Sequence, residues 1–228
     1  MRDFEILFED GAFLVIRKEA GLLSQKNERG EPGLTELLPS RTGSSVFPVH
    51  RLDRETGGAM VFAKTEEAAA ALSAAIREGR FQKEYLALLT KPPAAPEGTL
   101  EHLLFYDRKR GKVFPVTRER KGVKKARLRY QTVSAREGLT LVRVFPETGR
   151  THQIRVQFAA AGSPLAGDRR YGGGEGMLCL FCRALSFPDP ETGEERVFTL
   201  SPRGERWDLF RNEIQVLPNG NIDSLSIL

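Results

Sequence analysis

Apolar residues in this chain gather in short runs broken by charged turns, and most runs have strand length. Phe13-Leu14-Val15-Ile16 is uninterrupted and ends near the turn Glu19-Ala20-Gly21, so it reads as an opening buried strand. Residues 24 to 45 are polar and rich in Gly, Ser and Pro, which predicts loop with at most a short helix near Leu34 to Leu38. Val46 to Val49 and Ala59 to Ala63 read as short strands. The clearest helix follows. Thr65 can cap it, Glu66 and Glu67 favour its first turn, an alanine-rich body continues, and Gly79 stops it. Leu72 and Ile76, with Ala68 and Ala69 a turn back, mark the face expected to be buried.

Tyr85 to Leu89 reads as a strand and Lys91-Pro92-Pro93-Ala94-Ala95-Pro96 as a connector. Ala126 to Val133 and Leu139 to Phe145, joined through Arg136-Glu137-Gly138, read as an antiparallel pair. Thr151 to Ala161 fits two periods: Ile154, Val156 and Phe158 alternate, while Ile154, Phe158 and Ala161 share a helical face. Thr151 as cap and Gly162-Ser163-Pro164 as stop favour helix. Met177 to Phe187 and Arg196 to Leu200 are the last expected strands. Strands and helices do not alternate as in a doubly wound fold, so the pattern predicts an α+β protein with largely antiparallel sheet. Residues 1–217 are expected to form one domain of two halves sharing a sheet, with 218–228 a weakly attached tail.

Composition narrows the class. Hydrophobic residues make up 40% and charged residues 29% of the 228 positions, ordinary for a globular protein. No apolar stretch reaches the roughly 18 to 20 residues of a membrane span, and Met1 to Asp10 carries acids where a secretion signal needs an apolar core. The expectation is a cytosolic protein, probed no further by its two cysteines than to agree with a reducing compartment. The net charge of +5 is unevenly placed. Eleven Lys or Arg and a single acid, Glu119, lie between Arg108 and Arg129, whereas the remaining 24 basic and 29 acidic residues leave the rest slightly acidic. Such a basic stripe is either a solvated loop or the footprint of a polyanion.

Val49-His50-Arg51-Leu52-Asp53-Arg54-Glu55-Thr56-Gly57-Gly58 sets one carboxylate between two arginines in a turn of small residues. A carboxylate with a reference pKa of roughly 3.9 is ionised at neutral pH, and neighbouring guanidinium groups fix its orientation. An immobilised aspartate can serve as nucleophile, as base, or as one half of a structural ion pair.

Two further segments weigh against the structural ion pair. One is Lys83-Glu84-Tyr85-Leu86-Ala87. The other runs Thr148-Gly149-Arg150-Thr151-His152-Gln153-Ile154-Arg155-Val156, then Ala161-Gly162-Ser163-Pro164-Leu165-Ala166-Gly167-Asp168 and Tyr171-Gly172. In this order, and with Lys18-Glu19-Ala20-Gly21 ahead of them, they resemble the pseudouridine synthases of the RluA type. The family patterns are H-R-L-D-x-x-T-S-G, K-x-Y-x-A and T-G-R-T-H-Q-I-R-V-H. The resemblance covers roughly residues 6 to 210 and implies the pseudouridine synthase fold. It also implies isomerisation of uridine to its C-glycoside in structured RNA, ribosomal or transfer, by a monomer needing no cofactor or metal. An additional S4-like RNA-binding domain, found in many relatives, is not expected here.

By that resemblance the catalytic residues are Asp53, Tyr85 and Arg155. Asp53 either attacks C1′ or removes the 2′ proton. Tyr85 stacks on the uracil and assists at C5, and Arg155 is the arginine partner of the aspartate. At about 4 Å and an effective dielectric near 20, such a pair interacts by roughly 4 kcal/mol before desolvation. Arg51 is expected to fill the space left by a flipped uridine. Arg54, Thr56, Lys83 and Arg150 are the other expected RNA contacts, with His50 and Arg54 also supporting the loop. Lys124, Lys125 and Arg127 are expected to grip RNA from the basic segment, and Gly57 and Gly58 to let RNA backbone approach. Departures from the pattern at Gly57, Gln157, Ser163 and Phe181 lie away from Asp53, Tyr85 and Arg155. Cys179-Leu180-Phe181-Cys182 lacks a second ligand pair for zinc, Asp168 reads as a turn cap, His152 as a hydrogen-bonding support, and Trp207 and Phe210 as packing. A non-catalytic RNA-binding protein and a metal-dependent nuclease are the competing classes, the latter needing clustered carboxylates.

Overall fold

A computed structural model describes residues 4–218. The chain forms two compact units. In chain order the elements are β1 (Glu5–Glu9), β2 (Phe13–Lys18), α1 (Leu34–Leu37), α2 (Pro39–Thr42), β3 (Phe47–Pro48), β4 (Gly57–Ala63), α3 (Glu66–Arg77) and β5 (Gln82–Leu89). Then come β6 (Glu97–Asp107), β7 (Lys112–Val116), β8 (Val123–Arg136), β9 (Leu139–Pro146) and α4 (Gln153–Ala160). The chain closes with β10 (Leu180–Pro188), β11 (Glu195–Thr199), α5 (Glu205–Asp208) and α6 (Arg211–Gln215). The first unit takes the residues up to Lys83 with Phe181–Pro202, and the second takes Glu84–Leu180 with Arg203–Leu217. The tail proposed at 218–228 lies, beyond Pro218, outside the described residues.

The first unit is built on β1-β2-β4-β10, with β3 beside β4 and β11 beside β10. All pairings are antiparallel except β4 with β10. The Asp10 carboxylate accepts the N–H groups of Ala12 and Phe13, both at 2.8 Å, and this closes the β1–β2 turn. Every residue of β2 and β4 is buried, as their continuous apolar runs require. Phe13 meets Phe187 edge-on at 5.5 Å, and Phe187 stacks on Phe81 at 5.3 Å. Helix α3 begins as predicted: Thr65 Oγ1 accepts the Ala68 N–H at 3.1 Å. Its buried face is Ala68, Leu72 and Ala75 rather than Ile76, which is half-buried.

Gly58 is explained by this sheet. Gly58 has φ 122°, and a Cβ there would lie 2.3 Å from the Cys182 carbonyl oxygen of β10. The close approach anticipated for an RNA backbone is made by the protein's own strand.

The second unit carries the antiparallel order β5-β9-β8-β6-β7. Along β8 the alternation is plain: Ala126, Leu128 and Tyr130 are buried while Lys125, Arg127 and Arg129 face the other side. Helix α4 covers the buried side. Val156 packs with Leu104, Val113 and Ala126, and Phe158 lies 5.4 Å from the Tyr130 ring. Gln157 Nε2 donates to the carbonyls of Leu100 (2.8 Å) and Ala126 (3.2 Å), tying α4 to β6 and β8. Trp207 and Phe210 are buried, as packing residues are.

Five elements depart from the sequence reading. Strands β1, β6 and β7 were not expected, since their charged, half-exposed residues dilute the alternation. Thr151 is not the cap of α4. His152 occupies that position in a left-handed conformation, φ 51° and ψ 23°, and the helix starts at Gln153. Met177 is exposed, and β10 begins only at Leu180.

Candidate active site

In the first unit the loop between β3 and β4 presents Asp53, and its backbone is tied down on both sides. Leu52 is buried; its N–H donates to Ser24 Oγ at 3.1 Å, while its carbonyl accepts from that hydroxyl at 2.7 Å. The Thr56 N–H donates to the Asp53 carbonyl at 3.1 Å and closes a turn around the aspartate. Lys18, at the end of β2 and fully buried, completes the fixation. Its Nζ donates to the carbonyls of Thr56 (2.7 Å), Arg54 (3.1 Å) and Glu19 (3.3 Å). An ammonium has three protons, and three carbonyls receive them. Burial pulls its pKa down to about 8, against the opposing pull of the Asp53 and Glu19 carboxylates, so it stays protonated at neutral pH.

Asp53 itself is half-buried and Arg51 is exposed. Arg54 is a loop support. It holds Glu31 through two contacts (2.8 and 3.1 Å), and its Nε donates to the Gly21 carbonyl at 3.2 Å. The Thr56 side chain is buried and Lys83 is half-buried, with its pKa lowered by burial and its ammonium 5.9 Å from the Phe81 ring centre. His50 is also a support: its Nε2 accepts the Val61 N–H at 3.1 Å. Burial first, and then the Lys83 charge, push its pKa well below the usual imidazole range, so the ring is neutral.

The second unit holds Tyr85 and Arg155. Tyr85 is buried on β5 opposite Val144 of β9. Arg155 is buried on α4 and gripped by Asp168: Nε donates to Oδ2 at 2.7 Å and Nη2 to Oδ1 at 2.9 Å. This two-point geometry is the strongest form of carboxylate recognition by arginine. Oδ1 of Asp168 also accepts the N–H groups of Arg170 and Tyr171, both at 3.2 Å. Asp168 is therefore the turn cap anticipated, and an arginine anchor besides. Gly167 makes the turn possible: its φ is 75°, and a Cβ would lie 2.0 Å from the Met177 carbonyl oxygen.

Tyr171 joins this cluster to β7. The Arg155 guanidinium lies 5.4 Å from its ring centre. Its hydroxyl accepts the Val113 N–H at 3.0 Å and bonds His152 Nδ1 at 2.9 Å. Burial raises the Tyr171 pKa, so the group is a neutral phenol that can accept from one partner and donate to the other. Arg150 is exposed, with its Nε on the Lys125 carbonyl at 3.0 Å. Of the basic residues on β8, Lys125 pairs with Glu119 (3.3 Å), and Arg127 pairs with Glu101 (3.0 Å) and Glu147 (3.1 Å). Among the described residues no three His, Cys, Asp or Glu side chains gather as a metal site needs. Cys179 and Cys182 are buried and not joined in a disulfide.

Lys18, Asp168 and Tyr171 are the site residues given no functional part by sequence reasoning. Lys18 left a trace, a cation at the end of an apolar strand. The Asp168–Arg155 pair, 13 residues apart, left none.

The architecture defines the class first: an α+β chain with an aspartate on a fastened loop of one unit and a buried arginine, aspartate and tyrosine cluster in the other. A sequence model of the family described as RNA pseudouridylate synthase matches residues 12–160. This chain belongs to that family. It is similar to the Bacillus subtilis (strain 168) "Uncharacterized RNA pseudouridine synthase YhcT", 37% identical over 187 residues, spanning 77% of this chain and 60% of the relative. It is similar also to the Escherichia coli (strain K12) "Ribosomal large subunit pseudouridine synthase C", 35% identical over 210 residues, spanning 83% of this chain and 63% of the relative. The chain thus spans under two thirds of the length of these two curated relatives. The human RNA pseudouridylate synthase domain containing 4 shares the fold, with a TM-score of 0.75 and 24% identity over 94% of this chain and 95% of that one. No helix among the described residues is long and apolar enough to cross a membrane.

Proposed function

We propose that this chain is a cofactor-free RNA pseudouridine synthase that acts in the cytosol, as a monomer, on uridine in structured ribosomal or transfer RNA. Membership of the family supports the reaction class, and the observation that carries it to this molecule is the fastened Asp53 loop. A buried ammonium bound to three carbonyls around one half-exposed carboxylate spends its hydrogen bonds on holding that carboxylate in place. In the proposed reaction the N1–C1′ bond breaks and the uracil turns. C5 then bonds C1′, and the proton lost from C5 is balanced by one gained at N1, so nothing enters or leaves.

Asp53 either attacks C1′ or takes the 2′ proton. Tyr85 stacks on the base and assists proton removal at C5, and Arg155, held by Asp168, supplies the positive charge that the family pattern calls for. The uridine must leave its stack to be reached, at an energy of a few kcal/mol. Arg51, exposed beside Asp53, is suited to fill the gap with a planar guanidinium. Arg54, Thr56, Lys83 and Arg150 line the same motifs and are proposed as supports of the RNA-facing surface.

The test is to incubate the purified protein with transcribed ribosomal and transfer RNA. Pseudouridine is then read by carbodiimide adducts in primer extension, and RNA length by electrophoresis. New pseudouridine in RNA of unchanged length supports the reading. Bound but unmodified RNA makes the chain a binder, and shortened RNA makes it a nuclease.

A further inference from the structure

The basic segment is not one surface. Strand β6 is flanked by β7 on one side and β8 on the other, so residues 117–122 must cross from beside Leu103 to beside Phe105. Phe105 and Arg120 meet on this crossing, with the guanidinium 4.7 Å from the ring centre. The crossing borders a cavity of about 380 Å³ lined by Leu103, Glu119, Arg120, Val123 and Lys125.

The charges are sorted along this path. On the exposed face of β8, Lys125, Arg127 and Arg129 each lie against a carboxylate: Glu119, Glu101 with Glu147, and Glu147. Arg118, Arg120, Lys121 and Lys124 are exposed and stand in no ion pair among the described residues. A cation already neutralised by a carboxylate releases little counterion when RNA arrives, whereas an unpaired one at a turn releases its share. Arg120 adds a planar guanidinium stacked on an aromatic ring, a platform that tolerates a base or a phosphate beside it.

We propose that the crossing segment, through Arg118, Arg120 and Lys121, is the phosphate-binding contact of this chain with its RNA, and that the basic face of β8 is not. The partner is the sugar–phosphate backbone of structured RNA, bound without reading sequence. This rests on the RNA-modifying reading given above and, of the expectation that Lys124, Lys125 and Arg127 grip RNA, it replaces the part that concerns Lys125 and Arg127.

Two variants carry the same change in net charge. One is R118A/R120A/K121A, and the other is K125A/R127A/R129A. Binding of each to a fluorescein-labelled, uridine-containing RNA stem–loop is measured across a salt series, after circular dichroism has shown that both fold. Losing three phosphate contacts is expected to lower the salt slope by roughly 2 to 3, and to weaken binding by about 100-fold at 0.1 M salt. The β8 variant is expected to keep a slope near the wild-type value. Equal losses in the two variants would mean that net charge alone matters and would overturn the proposal, as would a crossing-segment variant with wild-type slope. Pseudouridine formation by the wild-type protein is measured on the same RNA preparations. A wild type that binds with the predicted slopes and modifies nothing keeps the contact and defeats the enzymatic reading. A wild type that modifies RNA with unsorted slopes does the reverse.

Discussion

The pair between Arg155 and Asp168 offers a thermodynamic cycle whose size follows from its geometry. Both side chains are almost wholly withdrawn from solvent, at 3% and 0%, and two hydrogen bonds of 2.7 and 2.9 Å join them. Asp168→Asn keeps the shape but removes the charge and turns an N–H donor toward Arg155 Nε. Breaking a buried pair from one side costs about 3 to 5 kcal/mol. Arg155→Met removes the other charge and leaves the Asp168 carboxylate with only its two backbone donors, for a loss of similar size. In the double variant no buried charge of the pair is left. The asparagine oxygen can still accept from Arg170 and Tyr171, and methionine fills the guanidinium stem. Its loss is expected to be about 1 to 2 kcal/mol, so the coupling amounts to at least roughly 4 kcal/mol. Urea unfolding of the four proteins measures each term. Simple addition of the two single losses in the double variant would refute the claim that these groups stabilise one another. The double variant is also expected to lack isomerase activity despite its recovered stability.

Three other outcomes are expected. Tyr171→Phe leaves the ring under Arg155 but strips the acceptor from the buried Val113 N–H, for a loss of about 1 to 3 kcal/mol seen as a lower urea midpoint and faster hydrogen exchange at Val113. Lys18 is harder to keep protonated in the folded chain than in the unfolded one, so the unfolded chain binds more protons between pH 8 and 10.5. Its destabilising contribution is full below about pH 8 and is relieved as pH rises toward 10.5, by roughly 3 kcal/mol. Lys18→Met is expected to flatten that rise in a pH series of unfolding curves and to lower activity by loosening the Asp53 loop. Gly58→Ala places a Cβ 2.3 Å from the Cys182 oxygen and is expected to prevent stable folding, whereas Gly79→Ala, with open space around it, costs only about 1 kcal/mol of left-handed strain. Yield and thermal midpoint separate the two.

The sequence carried the fold class because buried strands betray themselves. Phe13 to Ile16 and Ala59 to Ala63 are apolar throughout, and Thr65, the alanines and Gly79 frame α3 with local signals alone. Edge elements were hidden for the converse reason. In β6 and β7, charged and half-exposed residues break the alternation, so neither strand shows in the pattern. The cap of α4 was misplaced because the left-handed turn at His152 is secured by Tyr171, a contact 19 residues away. Asp53, Tyr85 and Arg155 are candidates through motif order alone. What holds them was not legible, since Lys18 reaches its carbonyls across 36 and 38 residues and Asp168 reaches Arg155 across a glycine-dependent turn. Charge counting likewise found the basic segment but could not see that Glu101 and Glu147 neutralise its strand face.

The central claim is that the carboxylate at position 53 performs the rearrangement. Asp53→Asn preserves size and leaves the backbone contacts to Lys18, Ser24 and Thr56 available. The most direct measurement is single-turnover conversion of uridine in a transcribed RNA that the wild-type protein modifies, with enzyme in excess, alongside the dissociation constant for the same RNA. The account predicts an affinity close to wild type and no pseudouridine from the variant, whereas conversion at the wild-type rate would contradict it.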